Sequence, residues 1–175
     1  MNTVSLAAVI IMITAVLCVC IFKFANKDGK IKTEYDERQK IVRGRAYMYA
    51  FYSELIVQAL IMLIFMTGVE LPIEDYALLF IGIILGCMVL CAYCIWNDVY
   101  WGLNNDHRRY HIIFIAGIAI NAIDIVIAAI SGTLIQNGKI GICILNIIVL
   151  IMLVAIYIEM FIKNILNSRT AAEEE

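Results

Sequence analysis

Residues Tyr76–Trp96 read YALLFIGIILGCMVLCAYCIW, 21 positions without an Asp, Glu, Lys, Arg or Pro. About 20 apolar residues in a helix cross the roughly 30 Å hydrocarbon layer of a bilayer, and lipid leaves backbone amides no partner but their own helix. The stretch therefore predicts a membrane-spanning helix, and the chain on either side repeats the pattern. Val4–Phe22, Ala46–Thr67, Ile112–Ile130 and Ile140–Ile162 are apolar runs of similar length. The 175-residue chain is 63% hydrophobic with a mean hydropathy of +0.91, more apolar surface than one small soluble core can hide. The expected fold is all-α: a polytopic transmembrane helical bundle of five spans forming one domain over residues 1–175, with 23–45 a juxtamembrane segment and 163–175 a tail. The connections between the last four spans are short, which predicts antiparallel neighbours. Pro72 is the one proline and lies between spans, so no span is expected to be kinked by proline.

Lys and Arg collect on the cytoplasmic side of short membrane loops. Eight of them lie between Lys23 and Arg45, and alternating spans bring Arg108, Arg109, Lys163 and Arg169 to the same side; of 13 in all, only Lys139 falls opposite. The loop carrying Glu70, Glu74 and Asp75 is acidic. The expected orientation is N-terminus outside and C-terminus cytoplasmic. Tyr47, Tyr49, Trp96, Tyr100, Trp101, Tyr110 and Tyr157 then sit at the inner interface and Tyr76 at the outer one, as aromatic belts require. No Lys or Arg precedes the first span, which reads as a retained anchor rather than a cleavable signal. Net charge is −2 and the cations follow topology, so the bilayer, not nucleic acid, is the expected partner.

In the segment 23–45, Asp28-Gly29 marks a turn and Thr33 stands three residues before Asp36, which predicts a helix start there. Glu34 with Arg38 and Asp36 with Lys40 are acid-before-base pairs at i, i+4, each worth about 0.2–0.5 kcal/mol. Tyr35, Val42, Ala46 and Tyr49 share a stripe, so this helix is expected to run unbroken into the second span. The bland reading of the segment is a topology signal; the functional one is a docking surface.

Polar groups within spans are expensive in lipid and default to functional hypotheses. Glu54, Gln58, Asn121, Asp124 and Asn146 come to comparable depths and read as a polar seam between the second, fourth and fifth spans. The seam serves either as a proton or cation relay centred on Asp124 or as hydrogen-bonded glue, the commoner use. Glu159 is one turn from Lys163 and reads as a snorkelling end residue. The six cysteines all lie in apolar runs. Cys91 and Cys94 form a CxxC with Cys87 on the same face, but at the inner leaflet they face a reducing compartment and read as packing residues. Gly82 and Gly86, in GxxxG spacing, predict close approach of another helix. In Asn97–His111, NDVYWGLNNDHRRYH, the histidines with Asp98 and Asp106 lack any recognised metal spacing, and a solvated turn with interfacial aromatics is the simpler reading. No catalytic, cofactor or metal site is expected.

The segment Tyr35-Asp36-Glu37-Arg38-Gln39, followed by Arg43-Gly44-Arg45-Ala46-Tyr47 and Ala50-Phe51, resembles a loop shared by small integral membrane proteins of Gram-positive bacteria in domain-of-unknown-function families. Trp96-Asn97-Asp98-Val99-Tyr100 with Leu103-Asn104 is similar to their second cytoplasmic segment. The resemblance runs from about Tyr35 to Tyr110 and implies a multi-pass protein of the bacterial cytoplasmic membrane. The leading expectation is a non-enzymatic accessory or regulatory protein whose cytoplasmic surface of Asp36, Glu37, Arg38, Gln39, Arg43, Asn97, Asp98 and Asn104 engages a protein partner or a second copy in a homo-oligomer. The alternative is a small ion or solute permeation protein using the seam, and the third a membrane-bound enzyme working through Asp98, His107 or a cysteine.

Overall fold

A computed structural model of the chain describes residues 3–69, 71–136, 139–141 and 143–173, with backbone alone at 3–11, 136, 139 and 171–173. Glu70 of the acidic loop and the side chain of Lys139 lie outside what is described. Five helices follow in order: α1 (Thr3–Ala25), α2 (Glu37–Thr67), α3 (Asp75–Trp96), α4 (His107–Ile130) and α5 (Ile144–Glu173). The expected all-helical architecture is present. Among the described residues four helices, those containing Glu37–Thr67, Asp75–Trp96, His107–Ile130 and Ile144–Thr170, are long and apolar enough to cross a membrane. The expected apolar runs coincide with the helices, except that α5 starts at Ile144 rather than Ile140. Ile135 pairs with Ile140 and Gln136 with Lys139 in a two-residue antiparallel hairpin, and the Ile140 N–H donates to the Pro72 carbonyl at 3.2 Å.

Helix ends follow local chemistry. α2 and α4 are each followed by a glycine with positive φ, Gly68 (69°) and Gly132 (67°), a conformation costly for any residue with a Cβ. Their N–H groups bond the Phe65 and Ala129 carbonyls, closing off otherwise unpaired helix-end acceptors. α2 begins later than expected, at Glu37 rather than near Thr33. The Glu34 carbonyl accepts from the Leu103 N–H at 2.8 Å and the Glu34 N–H donates to Asn104 Oδ1 at 2.9 Å, so partners distant in sequence take the backbone groups that a helical turn would use. The expected Glu34–Arg38 pair gives way too: Glu34 bonds Lys30 at 3.2 Å and Arg38 turns to a backbone carbonyl, while Lys40 bonds Glu37 at 2.7 Å.

The chain divides into two compact units, Met1–Asp36 with Trp101–Ile113, and Glu37–Tyr100 with Phe114–Glu175. In the larger unit α3 packs against both α2 and α5. Close approach to α2 depends on the small residues: a Cβ on Gly82 would overlap the Gln58 amide, and one on Gly86 would come within 3.3 Å of Glu54 Cβ and 3.4 Å of the Ala50 carbonyl. The GxxxG spacing thus marks a helix contact, as expected. Ala46, Cys94 and Val99 form a buried cluster with Val42, Leu90, Tyr93 and Tyr100 around it.

The second neighbour of α3 is α5, a span that does not follow it directly in sequence. Asp98, just past the C-terminus of α3, bonds Lys163 and Asn167 in the C-terminal half of α5, so these two packed helices run parallel. Short connections fix which ends are near, while side-chain ties decide which faces meet. α4 meets α5 through Phe114 with Tyr157 (ring centroids 6.5 Å), Gly117 facing Leu153, and Asp124 with Asn146. Contacts that advance along α4 retreat along α5, which makes this pair antiparallel. α4 has no buried residue.

Candidate functional site

In the smaller unit the segment after α1 is stitched to the segment before α4. Asn26 and Asn105 are both buried, and burial of an amide demands hydrogen bonds. Asn105 Nδ2 donates to Asn26 Oδ1 at 2.7 Å, Asn26 Nδ2 to the Lys30 carbonyl at 2.8 Å, and the Gly102 N–H to Asn105 Oδ1 at 2.6 Å. Backbone bonds from Lys27 to Asn104 and from Asp106 to Ala25 flank this pair. Asn104 Nδ2 lies within 3.2 Å of the Asp28 carboxylate and 3.1 Å of the Lys32 carbonyl. The Lys30 backbone N–H and, in smaller part, the Asn104 amide and the Lys30 charge hold the Asp28 carboxyl below its ordinary range. Gly102 permits the approach, since a Cβ there would overlap the Thr33 methyl and lie 2.9 Å from the Glu34 carbonyl.

Arg109 closes the end of α1. Its guanidinium donates to the Phe24 carbonyl at 3.1 Å and the Asn26 carbonyl at 3.4 Å, lies over the Phe24 ring at 5.4 Å, and is held by Asp106 at 3.2 Å. A cation at a helix C-terminus meets unpaired carbonyls and the negative end of the helix dipole. Trp101 stacks on His107 (centroids 4.5 Å, 28°) and meets Tyr110 and His111 edge-on, so both histidines lie against an aromatic ring. Among the described residues no three His, Cys, Asp or Glu side chains are grouped to hold a metal ion.

In the larger unit, the N-terminal end of α2, the turn after α3 and the C-terminal half of α5 are tied by charged groups. Arg38 donates to the Asn97 carbonyl at 3.3 Å, and Arg43 to the Val99 carbonyl at 3.4 Å and to the Tyr47 hydroxyl. Asp98 adopts φ 57°, tolerated better by Asp than by most residues. It pairs with Lys163 at 3.0 Å and accepts from Asn167 at 2.9 Å. Partial burial pushes the Asp98 carboxyl up, but these bonds with the Lys163 and Arg38 charges outweigh it and hold the carboxyl below its ordinary value.

The polar residues expected to form one seam belong to two separate helix pairs. Gln58 Nε2 donates to the Leu79 carbonyl of α3 at 3.0 Å, and Glu54 lies beside Gly86, in a cleft shared with Tyr47, Phe51, Ile83 and Leu90. Asn146 Nδ2 donates to the Asp124 carboxylate between α5 and α4. Asn121 donates to the Gly117 carbonyl of its own helix at 2.8 Å. Glu159 does not pair with Lys163, which Asp98 engages; its buried Oε2 has no hydrogen-bond partner.

The expected interaction surface is likewise divided between the units. Asp36 and Asn104 belong to the smaller; Glu37, Arg38, Gln39, Arg43, Asn97 and Asp98 belong to the larger. Arg38, Arg43, Asp98 and Asn104 act as internal ties. Asn26, Asn105, Arg109 and Asn167 complete those ties and were not singled out by sequence; the Asn-Asn-Asp run at 104–106 marked only a turn. Comparison with family models, with curated proteins and with solved structures finds no match.

Proposed function

We propose that this chain is a multi-pass protein of a bacterial cytoplasmic membrane that spans it five times, N-terminus outside, and works without catalysis as an accessory or regulatory protein through its cytoplasmic end. The observation that carries this reading is the set of charged ties joining α2, the turn after α3, and α5. α2 has 31 residues, about 46 Å of helix, and α5 has 30; each exceeds a roughly 30 Å hydrocarbon layer. Placed by the Lys and Arg bias, the excess projects into the cytoplasm as the Glu37–Ala46 end of α2 and the final turns of α5. Arg38, Arg43, Asp98, Lys163 and Asn167 brace these projections into a preformed platform. On it Ile41 is 61% exposed and Arg45, one turn on, is also exposed, an apolar and a cationic group suited to an amphipathic, acidic protein surface. A permeation path has less support, because the intramembrane polar groups divide between the α2–α3 and α4–α5 contacts.

Crosslinking in cells followed by mild-detergent purification and mass spectrometry tests the proposal. A stoichiometric second protein that is lost with Ile41→Asp or Arg45→Glu, and kept with Asp124→Asn, is the expected result. Absence of any companion, together with liposome ion flux that Asp124→Asn abolishes, would overturn it.

A further inference from the structure

Resting on the membrane-spanning reading above, we propose that α4 and α5 meet a second copy of this chain inside the bilayer through Asp124 and Asn146. Asp124 is exposed on α4, six residues or about 9 Å from the helix end at Ile130. Its surroundings on the same helix identify the medium it faces. Ile120, Ile123 and Ile127 are 66%, 58% and 55% exposed, so that band lies in hydrocarbon. A carboxylate is expensive there, and the short Asp side chain cannot reach the interface as a Lys or Arg would. Among the described residues of one chain it has a single hydrogen bond, from Asn146 Nδ2.

The chemistry of this patch selects its occupant. A carboxylate offers about four acceptor sites and a carboxamide two N–H donors, so Asp124 retains acceptor capacity and Asn146 retains a donor. Donor and acceptor lie side by side, which makes the patch complementary to itself. A twofold axis lets each Asn146 give its second N–H to the Asp124 of the other copy, the reciprocal pattern of an isologous interface. α4 brings no buried residue of its own, so its surface is available for such contact. A different partner matched to the carboxylate would instead present a membrane-embedded cation, with no use for the Asn146 amide.

The test is to count subunits by stepwise photobleaching of the labelled full chain in lipid vesicles across a series of protein-to-lipid ratios. The wild type is expected to populate dimers. Asp124→Leu and Asn146→Leu should each weaken association by about three- to twentyfold, the range expected of intramembrane hydrogen bonds, while Asp124→Asn, which keeps an acceptor, should retain dimers. Should Asp124→Leu lose helix content by circular dichroism, Asn146→Leu decides. Monomers at every ratio would overturn the proposal, as would dimers indifferent to both leucine variants, or capture of a different protein in place of a second copy by a crosslinker at Ile127→Cys. Release of the chain from membranes by alkaline carbonate would overturn the spanning reading and this proposal together; retention with monomers overturns this proposal alone.

Discussion

Asp98 ties the end of α3 to α5 through one side chain, and its charge gives that link a pH dependence. The bonds from Asn167 and Lys163 favour the ionised carboxylate, so its folded-state pKa lies below the unfolded one. The stabilisation is therefore complete above the unfolded value and is lost as pH falls through the depressed folded value. At neutral pH the tie is fully formed. Asp98→Asn should remove the Lys163 pair and speed hydrogen exchange at amides 163–170, whereas the same change in a Lys163→Met background should add little, since the two residues act as a pair. The sequence exposed Asp98 as a polar residue beside a span end, which is how it entered the expected surface. Its role as an internal tie depends on Lys163 and Asn167, more than 60 positions away, and no local spacing encodes that distance. The buried pair of Asn26 and Asn105 was hidden for the same reason: each alone reads as a turn residue.

At the scale of elements, helix existence was legible because a run such as Tyr76–Trp96 leaves few alternatives in lipid, and helix boundaries were legible where a glycine or loop imposed them. The start of α2 was not, because Glu34 is claimed by Leu103 and Asn104. Helix contacts were legible where small residues signalled them, at Gly82 and Gly86, and where polar groups matched in depth, at Asp124 and Asn146. Gly86→Leu should drive a side chain into Ala50 and Glu54 and destabilise the α2–α3 pair by about 1–3 kcal/mol, read as a lower midpoint in thermal or denaturant unfolding. Gly44→Leu on α2, where a Cβ would meet open space, is the matched control and should hold or raise the midpoint, since Leu favours a helix over Gly by up to about 1 kcal/mol. The pairing of α3 with α5 lay outside any sequence rule used, since connection length says nothing about which of two available faces a helix offers.

For the whole molecule, the proposed orientation rests on charge: with five spans, Lys139 alone of the 13 Lys and Arg residues would fall on the other side. Single cysteines at Thr133, Arg45 and Arg169, read above the six native thiols, should report it. Thr133→Cys is expected to react with a membrane-impermeant maleimide on intact cells, and Arg45→Cys and Arg169→Cys only after permeabilisation. Labelling in the opposite sense would reverse the assigned sides and move the α2–α5 platform out of the cytoplasm.

The Asn26–Asn105 bond also sets an order for biogenesis. Its partners are 79 residues apart, and a ribosome adding roughly 5–20 residues per second needs about 4–16 s to make that stretch. Through this interval the newly made α1 lacks the Arg109 cap and Asn26 lacks its Asn105 partner. The end of the first helix is thus finished only after α2 and α3 have been synthesised. A ribosome stalled before residue 105 would present α1 with its end uncapped, a form distinct in exposed backbone from the completed chain.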